Sequence, residues 1–531
     1  VDYNLKINIK KVPLMKVVIP MSGMSSRFSA VGYTIPKYLI EIDGKKVIEH
    51  IVDLYPEDSE FIFIINDKHE VETDIVEVLE NLVENRIIAT IPSHKKGPVF
   101  SVSQFEDFID DDEQVVVNYC DFSMYWDYQH FKKFVDYTEC DGCVVSYTGF
   151  HPHMLGSDNY AFCKTDENNK ILEIREKQPF TDDKMSEFAS TGTYYFKKGS
   201  YVKKYFKQLM DEDLNINGEY YVSLVYNLLI RDGLDNLVYE VPHMLQWGTP
   251  FDLDVYNSWS NYYRKALEGQ KEVRLENCIL ALPMAGAGSR FSKEGYEKPK
   301  PFIPVNGKNM VDQAVRCLPK TDDIIYACLK GYQSPGQNTV WINEVLEGQA
   351  CTTERIVNVC DPDSSVLISA CDNGVFYDAD KFLELVNDDT NDIVVWTYRN
   401  NYTSHLQPEA YSWVKCDDDG NVSQVNVKKF TGTDPVKEFA ITGTMFFRSR
   451  EIFFRSLESL YKNDNRTNGE FYVDSMINEA ISLGYKVKNF EIDNYICWGT
   501  PNDLKTYQYW QRFFNKVDWH PYKYENDYFT K

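Results

Sequence analysis

Short apolar runs alternate with amphipathic stretches along the first half of the chain. Lys16-Val-Val-Ile-Pro-Met21 predicts a strand, Phe61-Ile-Phe-Ile-Ile65 a second and residues 87–91 a short third. Gln114-Val-Val-Val-Asn118 and Cys143-Val-Val-Ser-Tyr147 predict two more. Between them the spacing predicts helices near 45–54, near 70–84, from about 98 and near 127–137. Runs rich in β-branched and aromatic residues, without polar alternation, mark strands buried on both faces. Alternated with helices, they predict a largely parallel sheet covered on both sides. Past residue 158 or so the pattern changes: "YAFCKTDENNKILEIREK" reads as a hairpin turning at Glu-Asn-Asn-Lys, and "FASTGTYYF" as a further strand. The fold class is α/β, a mostly parallel mixed sheet with a small antiparallel appendage. In such sheets ligands sit at the carboxyl ends of the strands.

The pattern then repeats. "PMSGMSSRFSAVGYTIPKYLIEIDGK" (from Pro20) aligns with "PMAGAGSRFSKEGYEKPKPFIPVNGK" (from Pro283), pairing Arg27 with Arg290, Lys37 with Lys300 and Gly44 with Gly307. After one length change the correspondence resumes. Gly97 then pairs with Gly348, Asp121 with Asp372, Gly192 with Gly443, Glu219 with Glu470 and Gly248 with Gly499. So many landmarks in one order define two homologous domains in tandem, expected at 14–266 and 275–525 with a polar linker at 267–274. The period is far too long for a solenoid, and duplication raises the expectation that the halves pair as a pseudo-dimer within one chain.

Composition narrows the function. The 531 residues are 43% hydrophobic, enough for packed cores, and carry 56 basic against 81 acidic side chains, a net charge of −25. That balance excludes a general nucleic-acid or membrane-surface binder, which needs basic surface. Any phosphate must be met by a few local cations. The twelve cysteines include one CxxC, Cys140 to Cys143, which reads as a loop entering a strand rather than a zinc or redox site. Free thiols, with neither a signal peptide nor a membrane-length apolar run, lead to an expected cytoplasmic location.

The repeated motifs carry the candidate chemistry. After the first strand comes a loop of small residues, Ser22, Gly23, Ser25 and Ser26, matched by Ala285, Gly286, Gly288 and Ser289. Small residues let backbone N–H groups approach phosphate oxygens. Arg27 with Lys37, and Arg290 with Lys300, add fixed positive charge; the bland alternative is a structural turn with solvated cations. If the third loop position needs a positive φ, Ser25 carries a conformational cost that Gly288 does not. A second motif ends a buried strand with an acid, Asp121 in "VVVNYCDF" and Asp372 in "VLISACDN". Each is placed to hold Mg²⁺ against a phosphate, or else to cap a turn. Gly97 and Gly348 precede a helix start, where backbone can approach a flat base.

This constellation resembles the sugar-1-phosphate nucleotidyltransferases (nucleotide-sugar pyrophosphorylases), including their capsule-associated and choline-phosphate cytidylyltransferase-like members. Their signature is roughly G-G-x-G-[ST]-R, then P-K, then an Asp ending a strand. The resemblance spans the chain, once per half. It implies two tandem GT-A-like (Rossmann-like) domains that transfer a nucleotidyl group from an NTP, with CTP or UTP favoured, to a sugar phosphate or related phosphomonoester. Pyrophosphate leaves, Mg²⁺ assists, and the product feeds surface polysaccharide synthesis. By the same resemblance the loops with Arg27 and Arg290 hold the triphosphate, and Lys37 and Lys300 steady the α-phosphate. Asp121 and Asp372 ligate the metal. Lys177 and Lys428 grip the acceptor phosphate, Glu176 meets its hydroxyls, and Gly192 and Gly443 lie against it.

Departures are equally visible. The second half has Val427 where the first has Glu176. The family's second metal-binding Asp is absent from its expected position, held here by Gln246 and Cys497, which leaves Glu219, Glu470, Asp252 and Asp503 as candidates. Trp247 and Trp498 are candidates for stacking on a sugar or, as aromatics beside a glycine, for core packing, and His151 and His153, absent from the second half, for a loop or acceptor contact. Two other readings stand beside the first. One half can be a non-catalytic nucleotide-binding or regulatory module. The chain can also be a GT-A glycosyltransferase, although that class shows a DxD motif where this one has "CDF" and "CDN".

Overall fold

A computed structural model describes residues 15–156 and 158–531. The chain divides into two compact units, one ending at Asn257 and the other beginning at Ser258, inside the helix Pro250–Glu268. The end of that helix goes with the second unit because Tyr263 packs on Tyr507, Phe514 and Tyr522.

In the first unit, Lys16–Met21 lies at the centre of a nine-stranded sheet, parallel to Glu60–Asn66 on one side and Val115–Asn118 on the other. Arg86–Ile91 extends the parallel part beyond Glu60–Asn66. On the opposite flank the long strand Phe188–Phe196 runs antiparallel to Val115–Asn118 and to Gly142–Tyr147. Asn236–Glu240 then pairs in parallel with Gly142–Tyr147. The hairpin Ala161–Thr165 and Ile171–Glu176 joins the start of Phe188–Phe196. Its turn is fixed by Asp166, whose carboxylate accepts the backbone N–H groups of Asn168 and Lys170 at 2.8 and 2.9 Å. Strand residues Val18, Ile62, Ile64, Val115 and Val117 form one buried core with Phe206, Val225 and Leu229 from two covering helices.

The second unit repeats this plan. Cys278–Pro283 lies between Asp323–Leu329 and Ser365–Ile368, parallel to both, and Phe439–Phe447 closes the parallel part from the other direction. The strands of Ile279, Ala281, Val366 and Val395 share their core with Met476 and Ile477 of the helix Val473–Ser482.

Two features differ from the sequence expectation. The helix expected near 70–84 is two, Asp67–Glu72 and Ile75–Leu82. Thr73 breaks it: its hydroxyl donates to the His69 carbonyl at 2.6 Å and accepts the Ile75 N–H at 3.3 Å, competing with the helix ladder. Four four-residue strands, paired in two ribbons, also escaped the pattern. Phe122–Tyr125, directly after Asp121, pairs antiparallel with His243–Gln246; Asn373–Phe376 does the same with Asn494–Cys497. These ribbons shape the site. Among the described residues no helix is long and apolar enough to cross a membrane.

Candidate active site

The first core strand delivers the chain to the carboxyl edge of the sheet, where Ser25 adopts φ 50° and opens the short helix Ser26–Ser29. Gly288 holds the same left-handed geometry at φ 60° before Ser289–Lys293. The serine's conformational cost has a compensation, because its hydroxyl accepts the backbone N–H of Lys37 at 3.0 Å. Gly288 has no side chain to do this; a Cβ there would lie 3.3 Å from Cβ of Lys300. Ser25→Ala is therefore expected to keep the strain and lose the bond, lowering stability by about 1–2 kcal/mol. Ser25→Gly removes both and is expected to be close to neutral, which denaturant titration of the two variants checks. Ser22 is buried, its hydroxyl 2.9 Å from that of Ser101, whereas its counterpart Ala285 is apolar. Gly23 and Gly286 open onto free space.

Lys37 and Asp121 meet at the floor of this edge, Nζ donating to Oδ2 at 2.7 Å. Lys300 and Asp372 form the same ion pair in the second unit. Burial pushes each ammonium towards neutrality, but the adjacent carboxylate and the neighbouring cysteine more than offset it, so both lysines titrate above their usual value. Arg27 and Arg290 are exposed on the helix that follows each loop, and among the described residues neither has an ion-pair partner. The charge of Arg27 is felt at Lys37, Asp252 and Tyr221, which places it over the site.

The short ribbons bring the "WGTP" segments onto the strand-end acids. Trp247 N–H donates to the Asp121 carbonyl at 3.0 Å, and Trp498 N–H to that of Asp372 at 2.8 Å. A Cβ on Gly248 would stand 3.1 Å from Oδ2 of Asp121, and one on Gly499 2.9 Å from Oδ2 of Asp372, so any side chain there would crowd the acid. The chain then enters a helix in which Thr249 donates to Asp252 Oδ2 at 2.5 Å, and Thr500 to Asp503 Oδ2 at 2.6 Å. Burial, with repulsion from Asp121 added, pushes Asp252 up to about 6. Asp503 is likewise raised, burial first and Asp372 contributing. Each unit thus gathers two carboxylates and a lysine at one sheet edge. Among the described residues no group of three or more His, Cys, Asp or Glu stands ready to enclose a metal.

A second wall lies beside this floor. Lys177 ends the hairpin at φ 59° and Lys428 ends its counterpart at φ 51°, a strained backbone for a side-chain-bearing residue that both units keep. Lys177 Nζ donates to the Tyr221 hydroxyl at 2.7 Å, which donates to Glu219 at 2.5 Å. Ser223 donates to Glu176 Oε2 at 2.6 Å, and burial raises that carboxyl above its usual value despite the serine and Lys177. Gly192 (φ 97°) and Gly443 (φ 91°) sit where the pairing with the next strand slips register. A Cβ on Gly192 would press on Tyr119 and Phe122 at 3.2 and 3.1 Å.

Several candidates lie elsewhere or act differently. Trp247 and Trp498 are 1% and 0% exposed, packed on Tyr256 and on Tyr507 and Phe529, so neither ring offers a face to a sugar; both are core residues. Glu219 bonds to the Lys177 wall through Tyr221, and Glu470 to Tyr472; both stand with the lysine wall. The Cβ positions of Gly97 and Gly348 face the backbones of Tyr220 (2.8 Å) and Phe471 (2.4 Å), so packing alone demands glycine there. His153 is 3.0 Å from the Tyr147 hydroxyl and its ring packs on Tyr160. Cys140 and Cys143 are buried and free, as are most of the cysteines. The sequence pattern did not single out Tyr221, Ser223 or Thr249; the spacing T-x-x-D after the Trp-Gly pair was the available signal for Thr249.

Fold and site together define an α/β protein with cations and paired acids at the carboxyl edge of each sheet. The family model described as Nucleotidyl transferase matches residues 16–221. That match covers most of the first unit, whose residues 16–221 form a nucleotidyltransferase domain, and the second unit repeats its strand plan and motifs. Among solved structures, a nucleoside-diphosphate-sugar pyrophosphorylase from Vibrio cholerae RC9 is 25% identical, covering 45% of this chain and 98% of its own, with a TM-score of 0.38. An inositol-1-phosphate CTP transferase from T. maritima is 15% identical over 46% of this chain and 95% of its own, at a TM-score of 0.36. A UDP-glucose pyrophosphorylase complexed with UDP-glucose is 17% identical over 48% and 100%, at 0.39. No curated protein matches the chain.

Proposed function

We propose that each unit transfers a nucleotidyl group from an NTP to a sugar phosphate or related phosphomonoester. An acceptor phosphate oxygen attacks the α-phosphorus, the bond to the bridging oxygen breaks, and pyrophosphate leaves. The observation that carries this reading is the recurrence, in both units, of an exposed arginine beside a lysine–aspartate pair at the carboxyl edge of a parallel sheet. Arg27 and Arg290 meet the leaving pyrophosphate, Lys37 and Lys300 the charge growing on the α-phosphoryl group. Lys177 and Lys428 receive the acceptor phosphate, aligning it for in-line attack.

Asp121 with Asp252 in the first unit, and Asp372 with Asp503 in the second, are the carboxylates that would hold Mg²⁺. This cation ordinarily takes one or two carboxylates and completes its shell with phosphate oxygens and water. Burial first, and then the neighbouring Asp121, raise Asp252, and a bound cation would relieve that repulsion. When bound, the metal supplies charge neutralisation on the phosphates.

The test is pyrophosphate release from each NTP, CTP and UTP first, against a panel of sugar, polyol and amino-alcohol phosphates with Mg²⁺. Release with at least one pair is expected. No release with any pair, together with turnover of a nucleotide-sugar, would replace this reading with a glycosyltransferase.

A further inference from the structure

The second unit has Val427 where the first has Glu176, which on its face leaves one acceptor pocket without its carboxylate. The packing of the neighbouring helix says otherwise. In the first unit Asn227 clamps the helix Val222–Arg231 to the hairpin, accepting the Ile174 N–H at 3.0 Å and donating to the Ile174 carbonyl at 2.9 Å. Asn478 makes the same two bonds to Val425, both at 2.8 Å. The clamp sets the register between helix and strand, and in the first unit it brings Ser223 of the helix to Glu176 of the strand at 2.6 Å. With the same register, the second unit sets Asp474 of the helix opposite Val427 of the strand. A helix hydroxyl facing a strand acid has become a helix acid facing an apolar strand residue.

Further observations bear on this position. Asp474 is 9% exposed, lies beside the Ser412 hydroxyl and faces the charge of Lys428, which donates to the Ala410 carbonyl and whose backbone keeps the strained φ of Lys177. Burial raises its carboxyl above the usual value, with Lys428 acting against that. The pocket has also lost bulk. Tyr119, against Gly192, corresponds to Ala370, which lies 3.1 Å from the Cβ position of Gly443.

We propose that Asp474 is the acceptor-reading carboxylate of the second unit, and that this pocket takes a hydroxyl-bearing phosphomonoester with a bulkier body than the first unit accepts. The inference rests on the two-site nucleotidyltransferase reading above. Lys428 holds the acceptor phosphate, Asp474 accepts from an acceptor hydroxyl, and the room left where Ala370 replaces Tyr119 admits the larger body.

The experiment uses the full-length chain with Lys37→Ala, so that pyrophosphate release reports on the second unit. Adding Asp474→Asn, which keeps shape and removes charge, is expected to raise the acceptor KM about 10–100-fold, as for loss of a charged hydrogen bond, with the NTP KM unchanged. The double change Val427→Glu with Asp474→Ser is expected to restore acceptor use and, with Ala370→Tyr added, to shift preference towards the smaller acceptor of the first unit. An acceptor KM unmoved by Asp474→Asn, or a rise shared equally by the NTP, overturns the inference while leaving the two-site reading intact. No release from the Lys37→Ala chain with any acceptor overturns that reading, and the inference with it.

Discussion

Lys37→Ala is expected to lower turnover at the first site by about 10²–10³-fold, and Lys300→Ala to do the same at the second, because in the proposed reaction each removes a cation from where charge develops in the transition state. The ion pair adds a second, opposite signature. Lys37 neutralises Asp121 at 2.7 Å, and the alanine variant leaves that carboxylate unpaired beside Asp252. Two uncompensated acids at one edge attract a divalent cation more strongly, so the metal concentration for half-maximal activity should fall as kcat falls. A lysine with only a structural part in the fold would not separate these quantities. With acceptors that distinguish the sites, each single variant should silence one activity and spare the other. Residual activities in both variants that respond identically to every acceptor would contradict two independent sites. Steady-state pyrophosphate kinetics across a Mg²⁺ titration provides both readings.

Asp252→Asn carries the other large effect, visible without substrate. In the folded protein the Asp252 carboxyl is raised from its usual 3.8 to about 6, burial being the main cause. A carboxyl that binds its proton more tightly folded than unfolded destabilises the fold as pH rises through that window. Below about pH 4 both states hold the proton and no penalty exists. Between pH 4 and 6 the penalty grows, and above 6 it is complete. A displacement of that size is equivalent to ~3 kcal/mol before screening, and the partial exposure of Asp252 reduces this to about 1–2 kcal/mol. Asp252→Asn should therefore raise the stability of the metal-free protein at pH 8, with a gain that disappears near pH 4, while abolishing or strongly reducing Mg²⁺-dependent turnover at the first site. Thermal melts across pH, read beside activity, check it. A variant no more stable at pH 8 than at pH 4 would show that Asp252 is well solvated. The opposed effects on stability and activity would mark a carboxylate kept for function.

Much of this molecule is legible in its residues, for definite reasons. The strands Lys16–Met21, Glu60–Asn66 and Val115–Asn118 are uninterrupted apolar runs because both faces of their sheet are covered. The hairpin announced itself through turn residues, Asp166 and Asn169 supplying the side-chain bonds and the left-handed φ that such turns need. The loop, Lys37 and Asp121 were visible because two copies agree on them. What stayed hidden depended on pairing at a distance. Phe122–Tyr125 and His243–Gln246 are too short to show a period, yet their ribbon is what carries Asp252 to Asp121. Trp247 reads either as packing or as a ligand platform, because a sequence does not reveal which side of a glycine is filled, and its burial decides for packing. The exchange of Glu176 for Asp474 spans a strand and a helix, and a position-by-position comparison reads it as a loss. The break at Thr73 turned on one hydroxyl choosing a backbone carbonyl over water.

The bond from Ser25 to the Lys37 N–H ties the phosphate loop to the segment bearing the lysine, so in the first unit these move as one body before any ligand arrives. Gly288 has no side chain to make such a tie, so on the proposed reading the nucleotide would order that loop against Lys300. Ordering entropy is thus settled at folding in one half and at binding in the other. Two sites with matching cations and acids should then differ in the heat and entropy of nucleotide association, the first with a smaller entropic penalty and the second with a loop more tolerant of the ligand's shape.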